Sequence, residues 1–566
     1  MEANLSAVTV PASTKVIATI ACDLKQSPIG TRSRLLDLFH GKPVLLHTIH
    51  ALQRVPAIST IVLMAPEDQH ETLREVAQLF SGRPTGDPAA SPIGQPQNLE
   101  IVPLLARHAF TERRVRAARA WNLQAWRGGA GQWTVFDEDY HPAAVADAAK
   151  RFSADHVVSV AAHAALLDSD ILAALIHHHL HKNHEMRVTY TPAAPGLSAM
   201  VLRADIVAEM GPANCMPMNL LGYDPKNPSF DTLIRDACMQ VDPALSKIPN
   251  RFLLDTDRSW DMAAKLVARG PWDCAASLAL AARESAITQR FPSPRELQID
   301  LTADRRTNPP GAVPAQIRAA IASLDPAHWI RWLASQTFTD DLLLTFGGDG
   351  DPLLYEKFAS VLQAARSAGV RNIHVQTDLL NLPESLLSAM DAGLIDVISM
   401  NFYGDDATTY QAVAGHDGYA AVSENVEKLI AHSKQTLLVP RLLKIRQTIP
   451  QMEAFFDRWV QRVGWAIIDG PTDRAGAVPF AAVVDMAPPR RRPCRRLGDR
   501  FVIRADGLAL ACDQDIHGRL PVSHIENATL AQMWLGHAFQ QLRNAHTAGE
   551  WNRIDPCANC REWHRP

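Results

Sequence analysis

No stretch of this 566-residue sequence approaches the run of about 20 apolar residues that spans a bilayer, so no membrane segment is expected. The opening MEANLSAVTVPASTK has neither a basic start nor a continuous apolar core, and does not read as a secretory signal. A cytoplasmic location follows as the expectation. Charge of one sign is also lacking: 56 Lys and Arg against 60 Asp and Glu leave a formal net charge of -4, too balanced for a general nucleic-acid binder. One dense basic run stands out, RRRPCRR from Arg490 to Arg496. Short repeats, coiled-coil heptads and low-complexity tracts are absent. Cysteine is scarce over most of the chain. Cys22, Cys215, Cys238 and Cys274 are scattered, and in a reducing compartment such cysteines are expected to be small buried hydrophobes. The other four, Cys494, Cys512, Cys557 and Cys560, crowd into the tail, the last two as Cys557-Ala-Asn-Cys560. That grouping suggests metal.

What is present describes a modular globular protein. Hydrophobic residues make up 47% and charged residues 20%, and the length implies roughly three to four domains. The first 80 residues read as strand KVIATIA, loop CDLKQSPIGTRSR, helix PVLLHTIHALQ and strand TIVLMA, an α/β opening. GRPTGDPAASPIGQPQN at 82–98 reads as an exposed loop. Strand HVVSVAA and helix ILAALIHHHLH follow at 156–181. QRFPSPRELQIDL marks a boundary near Arg290, after which LLLTFG, LYEKFASVLQAARSAG, NIHVQT, ESLLSAMDAG and DVISMNF alternate as βα units. Such units imply a parallel sheet with functional loops at the carboxyl ends of its strands. MAPPRRRPC marks the last boundary. The expected domains are therefore 1–290, 291–485 and 486–566.

The tail carries the strongest chemistry. Four thiolates close the coordination of either a [4Fe-4S] cluster or a tetrahedral zinc ion, and spacing alone does not choose between them. Between them FVIRADGLALACDQD reads as a hairpin turning at Asp506-Gly507 and delivering Cys512, followed by helix-like TLAQMWLGHAFQQLRNAH and the closing CANCREWHRP. This run resembles the SPASM domain, the auxiliary-cluster module that follows radical S-adenosylmethionine (SAM) barrels. The resemblance implies a [4Fe-4S] cluster on Cys494, Cys512, Cys557 and Cys560.

The central segment resembles the same enzymes. FGGDGDPLL from Phe346 to Leu354 looks like their loop for the methionine amino group of SAM, which implies Gly348, Gly350 and Asp351 as cofactor-binding residues, Asp351 standing where the family usually has Glu. SMNFYGDDATTYQAVAGHDGYAAVSENVEKLI looks like a later barrel segment. The defining CxxxCxxC loop of that family is missing. At its place stands LTADRRTNPPG, Leu301 to Gly311, without cysteine, and cluster iron is held mainly by thiolates. Cleavage of SAM is therefore not expected.

The N-terminal segment IGTRSRLLDLFHGKPVLLHTI is similar to the triphosphate loop of nucleotidyltransferases that activate sugars as CMP or related nucleotides. The resemblance implies a nucleotide held by Arg32, Arg34 and Lys42 in a loop that also contains Gly30, cationic side chains at a strand-to-helix turn being suited to phosphate. Where that family places a metal-binding Asp, this sequence has His163, while Asp168 and Asp170 are expected to cap the next helix. HHHLHKNH from His177 reads as a polar helix end, although His177 and His181 have the i, i+4 spacing of metal ligands. Arg127 with Asp137, Glu138 and Asp139 reads as a charged loop and helix cap.

The fold expected is thus an α/β nucleotidyltransferase-like domain, a partial (β/α) radical-SAM-like barrel and a C-terminal SPASM iron–sulfur module. Three functions stay open: an iron–sulfur protein without conventional SAM cleavage, its cluster structural or electron-transferring; a radical SAM modifying enzyme with an atypical cluster site; and a sugar nucleotidyltransferase. The substrate, small molecule or peptide, is not legible, and a partner enzyme served by either half fits the first.

Overall fold

The computed structural model describes residues 14–78, 98–106, 109–121, 134–181, 187–221, 236–246, 248, 250–269 and 291–565. Cys274, the Trp126–Gly129 stretch, His184 and nearly all of the 82–98 loop lie outside the described residues. The chain divides into two compact units, Met1–Gln289 and Arg290–Pro566.

In the first unit the β-branched run after Lys15 becomes β1 (Val16–Ala21), followed by the two-residue strands β2 (Leu38–Phe39) and β3 (Lys42–Pro43), then β4 (Thr60–Ala65), β5 (Asn98–Pro103), β6 (His156–Val160), β7 (Val188–Thr189) and β8 (Met200–Arg203). The main sheet runs β5-β4-β1-β6-β8-β7, parallel from β5 to β6 and antiparallel at β6–β8 and β8–β7. Every residue of β1 is buried. Val16, Ala18 and Ile20 enter one core with Leu45, Ile49 and Leu172, while Ile17 and Ala21 enter another with Tyr140, Val145 and Met210. A parallel strand covered on both faces reads as a continuous apolar run, as VIATIA does. Strand order reverses between β1 and β6, and the crevice outside the carboxyl ends at such a reversal is where open α/β sheets bind ligands.

The second unit holds β9 (Glu296–Ile299), β10 (Leu343–Phe346), β11 (Asn372–Thr377), β12 (Val397–Phe402), β13 (Leu437–Leu443) and β14 (Ile467–Asp469), all parallel to their neighbours and in sequential order. This is the repeated βα arrangement expected of the partial barrel. The tail adds β15 (Arg500–Ile503), β16 (Leu508–Leu510) and β17 (Pro521–His524). The β15–β16 hairpin turns at Gly507, whose φ of 82° suits glycine. The helix-like TLAQMWLGHAFQQLRNAH is two helices, Leu530–Leu535 and His537–Thr547, separated at Gly536.

A separate domain from 486 was expected, yet the tail belongs to the second unit. β15 pairs in parallel with β9, Arg500 opposite Glu296 and Ile503 opposite Ile299, so one nine-stranded sheet runs from β14 to β17. Phe501, Trp534 and Phe539 join the core that contains Leu297, Ile299 and Phe346. Burial of that apolar surface, not a linker, holds the tail in place. No helix among the described residues is long and apolar enough to cross a membrane.

A chain ending at residue 485 would leave β9 without its β15 partner and Leu297 and Ile299 with exposed surface. It should lose the second unit's sharp unfolding transition and near-ultraviolet circular dichroism while keeping the first unit's secondary structure. An unchanged cooperative transition in the shortened protein would contradict the shared core.

Candidate functional site

Asp300–Gly311 follows β9, Gly347–Asp351 follows β10, Asp378 follows β11 and Tyr403 follows β12. All stand at the carboxyl ends of adjacent parallel strands. The cysteine-free segment lies directly on the glycine loop: Asp351 N–H donates to Asp304 O at 2.8 Å and Asp349 N–H to Asp300 Oδ2 at 3.3 Å. A Cβ on Gly348 would sit 2.0 Å from Asp300 Oδ1, and one on Gly350 1.9 Å from Thr302 O. These two glycines therefore admit the chain's own segment. Asp351, expected to face a cofactor, is buried and already committed. It accepts from Thr377 Oγ1 at 2.9 Å on each carboxylate oxygen, from Leu353 N–H at 3.0 Å and from Asp378 N–H at 3.0 Å.

Arg305 closes the arrangement. Its Nε and Nη2 donate to the two oxygens of Asp378 at 2.8 and 2.5 Å, Nη2 also to Tyr403 Oη at 2.9 Å, and Nη1 to Gly348 O at 3.3 Å. Asp378 further accepts from Tyr403 Oη at 2.6 Å and Asn401 Nδ2 at 3.0 Å, and from the Thr307 hydroxyl. Burial raises the Asp378 carboxyl, but the Arg305 guanidinium together with the Thr307 and Tyr403 hydroxyls holds the group below its ordinary value. Beside this pair Asp300 and Asp349 behave oppositely. Burial, then the neighbouring Asp349, pushes the Asp300 carboxyl upward; burial pushes Asp349 upward, with Arg474, 3.3 Å away, opposing and Asp513 adding. Asp351 is raised to about 6 by burial and by Asp378.

In the tail, Cys494 precedes the short helix Arg496–Asp499, Cys512 follows β16, and Cys557 and Cys560 flank one helical turn. Cys494 and Cys557 pack against the unit's apolar core. The sulfurs collect backbone donors: Gln514 N–H reaches Cys512 Sγ at 3.5 Å, Glu562 N–H reaches Cys560 Sγ at 3.3 Å, and the amides of Leu497 and Arg496 face Cys494. N–H groups aimed at sulfur stabilise thiolate and help set cluster potentials. Burial first, then Cys494 and Cys560, pushes Cys557 up to about 12; burial first and then Cys494, partly offset by the Glu562 amide, pushes Cys560 up to about 11. Cys512, Cys557 and Cys560 thus each sense Cys494. Buried Arg496 pairs with Asp513 and lies 3.7 Å from Glu562, and Arg491 Nη2 donates to Cys557 O at 2.6 Å. Among the described residues no three His, Cys, Asp or Glu side chains are gathered so as to hold a metal ion. The four thiols are neighbours without forming a closed shell. Four soft donors, half-buried and supplied with N–H donors, fit an iron–sulfur cluster.

In the first unit the loop after β1 is tied on itself, with Ser27 N–H donating to Thr31 O at 2.8 Å and Gly30 turning at φ 77°. Arg32, expected to meet phosphate, forks onto Asp37 at 2.8 and 2.5 Å; Arg34 pairs with Asp257 and lies 5.6 Å above the Trp260 ring. Lys42 is exposed at the start of β3. Of the centre of this region, the sequence singled out only Glu138, as part of a charged loop and helix cap, and not its partners. Arg119 donates to Asp255 at 2.6 and 3.0 Å, and Arg251 to Glu138 at 3.2 and 2.6 Å. His163 is buried, with neither ring nitrogen meeting a hydrogen-bond partner among the described residues. Burial lowers it to about 4, with Asp255 opposing and Arg119 and Arg34 adding to the shift. Asp168 caps the helix Ser169–His181 through Ile171 N–H at 2.8 Å, as expected. His179, on that helix, is spent on His156 at 2.9 Å and Thr189 at 2.8 Å.

Two outcomes follow from the second unit. Arg305→Ala strands the Asp378 charge in the interior and should cost about 3–5 kcal/mol in chemical denaturation, the range for breaking a buried pair from one side. Asp300→Asn tests the raised carboxyl. A carboxyl raised in the folded state binds more protons there than when unfolded, so its stabilisation is full below the ordinary carboxylate pKa and declines as pH rises. The variant should match the parent near pH 3–4 and become progressively more stable than it as pH rises; melting temperatures of both proteins against pH measure this.

Residues 494–561 match the SPASM family, described as an iron–sulfur cluster-binding domain. An uncharacterised protein of Treponema pallidum (strain Nichols) is 23% identical over 276 residues, spanning 45% of this chain and 74% of its own. Among solved structures, BtrN in complex with AdoMet and 2-DOIA matches at 14% identity and TM-score 0.33, covering 47% of this chain and 92% of that one. Streptococcus suis SuiB bound to precursor peptide SuiA matches at 10% and 0.38, covering 47% and 71%. A cytidylyltransferase from Leptospira borgpetersenii serovar Hardjo-bovis (strain JB197) matches at 12% and 0.33, covering 49% and 99%. The tail of this chain, residues 494–561, thus carries an iron–sulfur cluster-binding domain of the SPASM family.

Proposed function

We propose that the chain is a radical-SAM/SPASM-like iron–sulfur protein that does not cleave SAM, and that Cys494, Cys512, Cys557 and Cys560 hold a [4Fe-4S] cluster serving for stability or electron transfer. One observation carries the reading. Where a SAM-chelating cluster loop would stand, the segment 300–305 has no cysteine and puts Arg305 onto Asp378, Tyr403 and the Gly348 carbonyl. SAM cleavage needs an iron held by three thiolates with one position vacant, and no cysteine lies between Arg290 and Arg492 to build it. In the tail a cubane takes one thiolate per iron, so neighbouring thiols need not converge on a single ion as they must for zinc.

The first unit joins this reading as a domain without nucleotidyl transfer. Its loop arginines are paired with Asp37 and Asp257, and His163 stands at the carboxyl end of β6 where phosphoryl chemistry would require a carboxylate for Mg2+.

Anaerobically purified protein reconstituted with iron and sulfide should contain about four irons per chain, as four-thiolate ligation of a cubane implies. With dithionite and SAM it should release no 5′-deoxyadenosine by chromatography. Multiple-turnover release of that product would sink the proposal. Stoichiometric zinc in native protein that takes up no iron would sink the cluster assignment.

A further inference from the structure

Nine large hydrophobic side chains are exposed among the described residues. Four of them, Phe480, Val483, Val484 and Met486, fall within seven positions, and Val484 is 58% and Met486 67% exposed. A basic run follows at once, with Arg490, Arg492 and Arg495 exposed. This strip lies across the turn that carries the last two tail cysteines. The Arg561 guanidinium stands 4.7 Å over the Phe480 ring and donates to Asp485 at 2.6 Å. Arg491 donates to the carbonyls of Cys557 at 2.6 Å and Ala558 at 3.3 Å. Cys494, Cys557 and Cys560 are themselves only partly buried.

The carboxylates along the strip are already matched, Asp485 and Asp473 to Arg561 and Glu562 to Arg565. Arg490 and Arg492 meet no carboxylate among the described residues. Positive charge without a counterpart thus borders an exposed apolar cluster, a combination that marks an interaction site for an acidic surface. Phe, Met and Arg are also enriched where proteins meet. Pro488, Pro489 and Pro493 fix the backbone locally, so the strip has little freedom left to lose when covered. Other anionic surfaces fit less well. Residues 477–495 form neither helix nor strand, and insertion into lipid would leave their peptide groups unpaired. The strip's one aromatic ring, Phe480, already carries the Arg561 guanidinium on its face, where a nucleic-acid base would stack.

We infer that the strip Phe480–Arg495 is the docking surface for an acidic electron-carrier protein, which exchanges one electron with the tail cluster across the Cys557–Arg561 turn. The inference rests on the cluster assignment proposed above. The carrier's centre loses one electron and the cluster gains it, or the reverse, with no bond made or broken. Electron-transfer partners meet through small interfaces steered by charge, which suits a strip of this length.

The test uses the full chain, anaerobically reconstituted with iron and sulfide, as the parent, as the double variant Arg490→Glu with Arg492→Glu, and as Val484→Ser with Met486→Ser. All four side chains are exposed and none ligates the cluster. Iron and sulfide are measured first, and a parent that takes up no cluster removes the underlying assignment and the inference with it. The probe is a small acidic [2Fe-2S] protein, mixed in stopped flow with the loaded chain, either one being reduced beforehand so that the downhill direction is observed. The parent's second-order rate should fall as salt is raised, and at low salt the charge variant should be slower by about tenfold or more. The serine variant should be slower at every salt concentration. Reduction by photoreduced 5-deazariboflavin, which needs no docking, should be equal in all three. Absence of exchange in both directions with the loaded parent, or equal rates for the parent and the charge variant at equal iron content, overturns the inference. Binding of phosphatidylserine vesicles or a single-stranded RNA that the charge variant loses, with exchange rates unchanged, assigns the strip to lipid or nucleic acid and overturns it too.

Discussion

The guanidinium of Arg305 held against the Asp378 carboxylate governs what the end of the second unit's sheet can be. Parallel strands point their loops to one end, and in an open α/β sheet that end is normally left to a ligand. Here the segment carrying Arg305 packs against the loop that follows β10. Two charges taken out of water are favourable only when their remaining donors and acceptors are also satisfied. Asp378 meets that condition through Tyr403, Asn401 and Thr307. Arg305 meets it through the Gly348 carbonyl and the Tyr403 hydroxyl. The glycine loop follows from the same constraint, because the segment carrying Arg305 passes too close to Gly348 and Gly350 for any side chain.

The first unit arrives at the same solution with other residues. Its switch point lies between β1 and β6, and around it Arg119–Asp255, Arg251–Glu138 and Arg34–Asp257 pair cations with carboxylates drawn from distant parts of the sequence. An arginine matched to a carboxylate fork has already spent the geometry that it would offer a phosphate. His163 differs from this pattern. Burial lowers it to about 4, and neither ring nitrogen meets a hydrogen-bond partner among the described residues.

How much of this was legible in the sequence depends on the range over which each feature is determined. NIHVQT and TIVLMA fall on β11 and β4 residue for residue, because β-branched, apolar runs between turn residues carry their own signal. The tail cysteines were legible because ligand residues are few and chemically distinctive. Arg305, by contrast, sat in view within LTADRRTNPPG and was read only as an absence of cysteine. Its partner Asp378 lies 73 positions away and Tyr403 98 positions away, and no local pattern links them. Arg119 and Asp255, 136 apart, escaped for the same reason. The signal available for Asp378 was weak: a single carboxylate just after a buried strand, the place where parallel sheets put polar groups that matter. The tail was expected as a domain from 486 on a composition change; residues 494–561 do match a domain family, and they share the second unit's sheet. MAPPRRRPC looks like a linker, but the pairing of β15 with β9 is a long-range register that composition does not encode.

That pairing couples the tail's chemistry to the sheet's stability. β15 leads through the Gly507 turn into β16 and so to Cys512, while Arg496, two residues after Cys494, pairs with Asp513, the residue after Cys512. Arg500 on β15 reaches Glu296 on β9 at 2.6 Å, and Glu296 in turn accepts from Thr345 on β10 at 2.7 Å. A continuous chain of hydrogen bonds and ion pairs therefore runs from the cysteine segments into the parallel strands. Metal-binding free energy adds to folding free energy wherever the ligands are organised only in the folded state. A cluster bound by these thiols would stabilise the strands that end at Arg305 and Asp378 as well as its own hairpin. Conversely, the buried ion pair at the strand ends stiffens the sheet on which β15 is aligned. The two charged centres of this unit are thus linked through β9, whose neighbours are β10 on one side and β15 on the other.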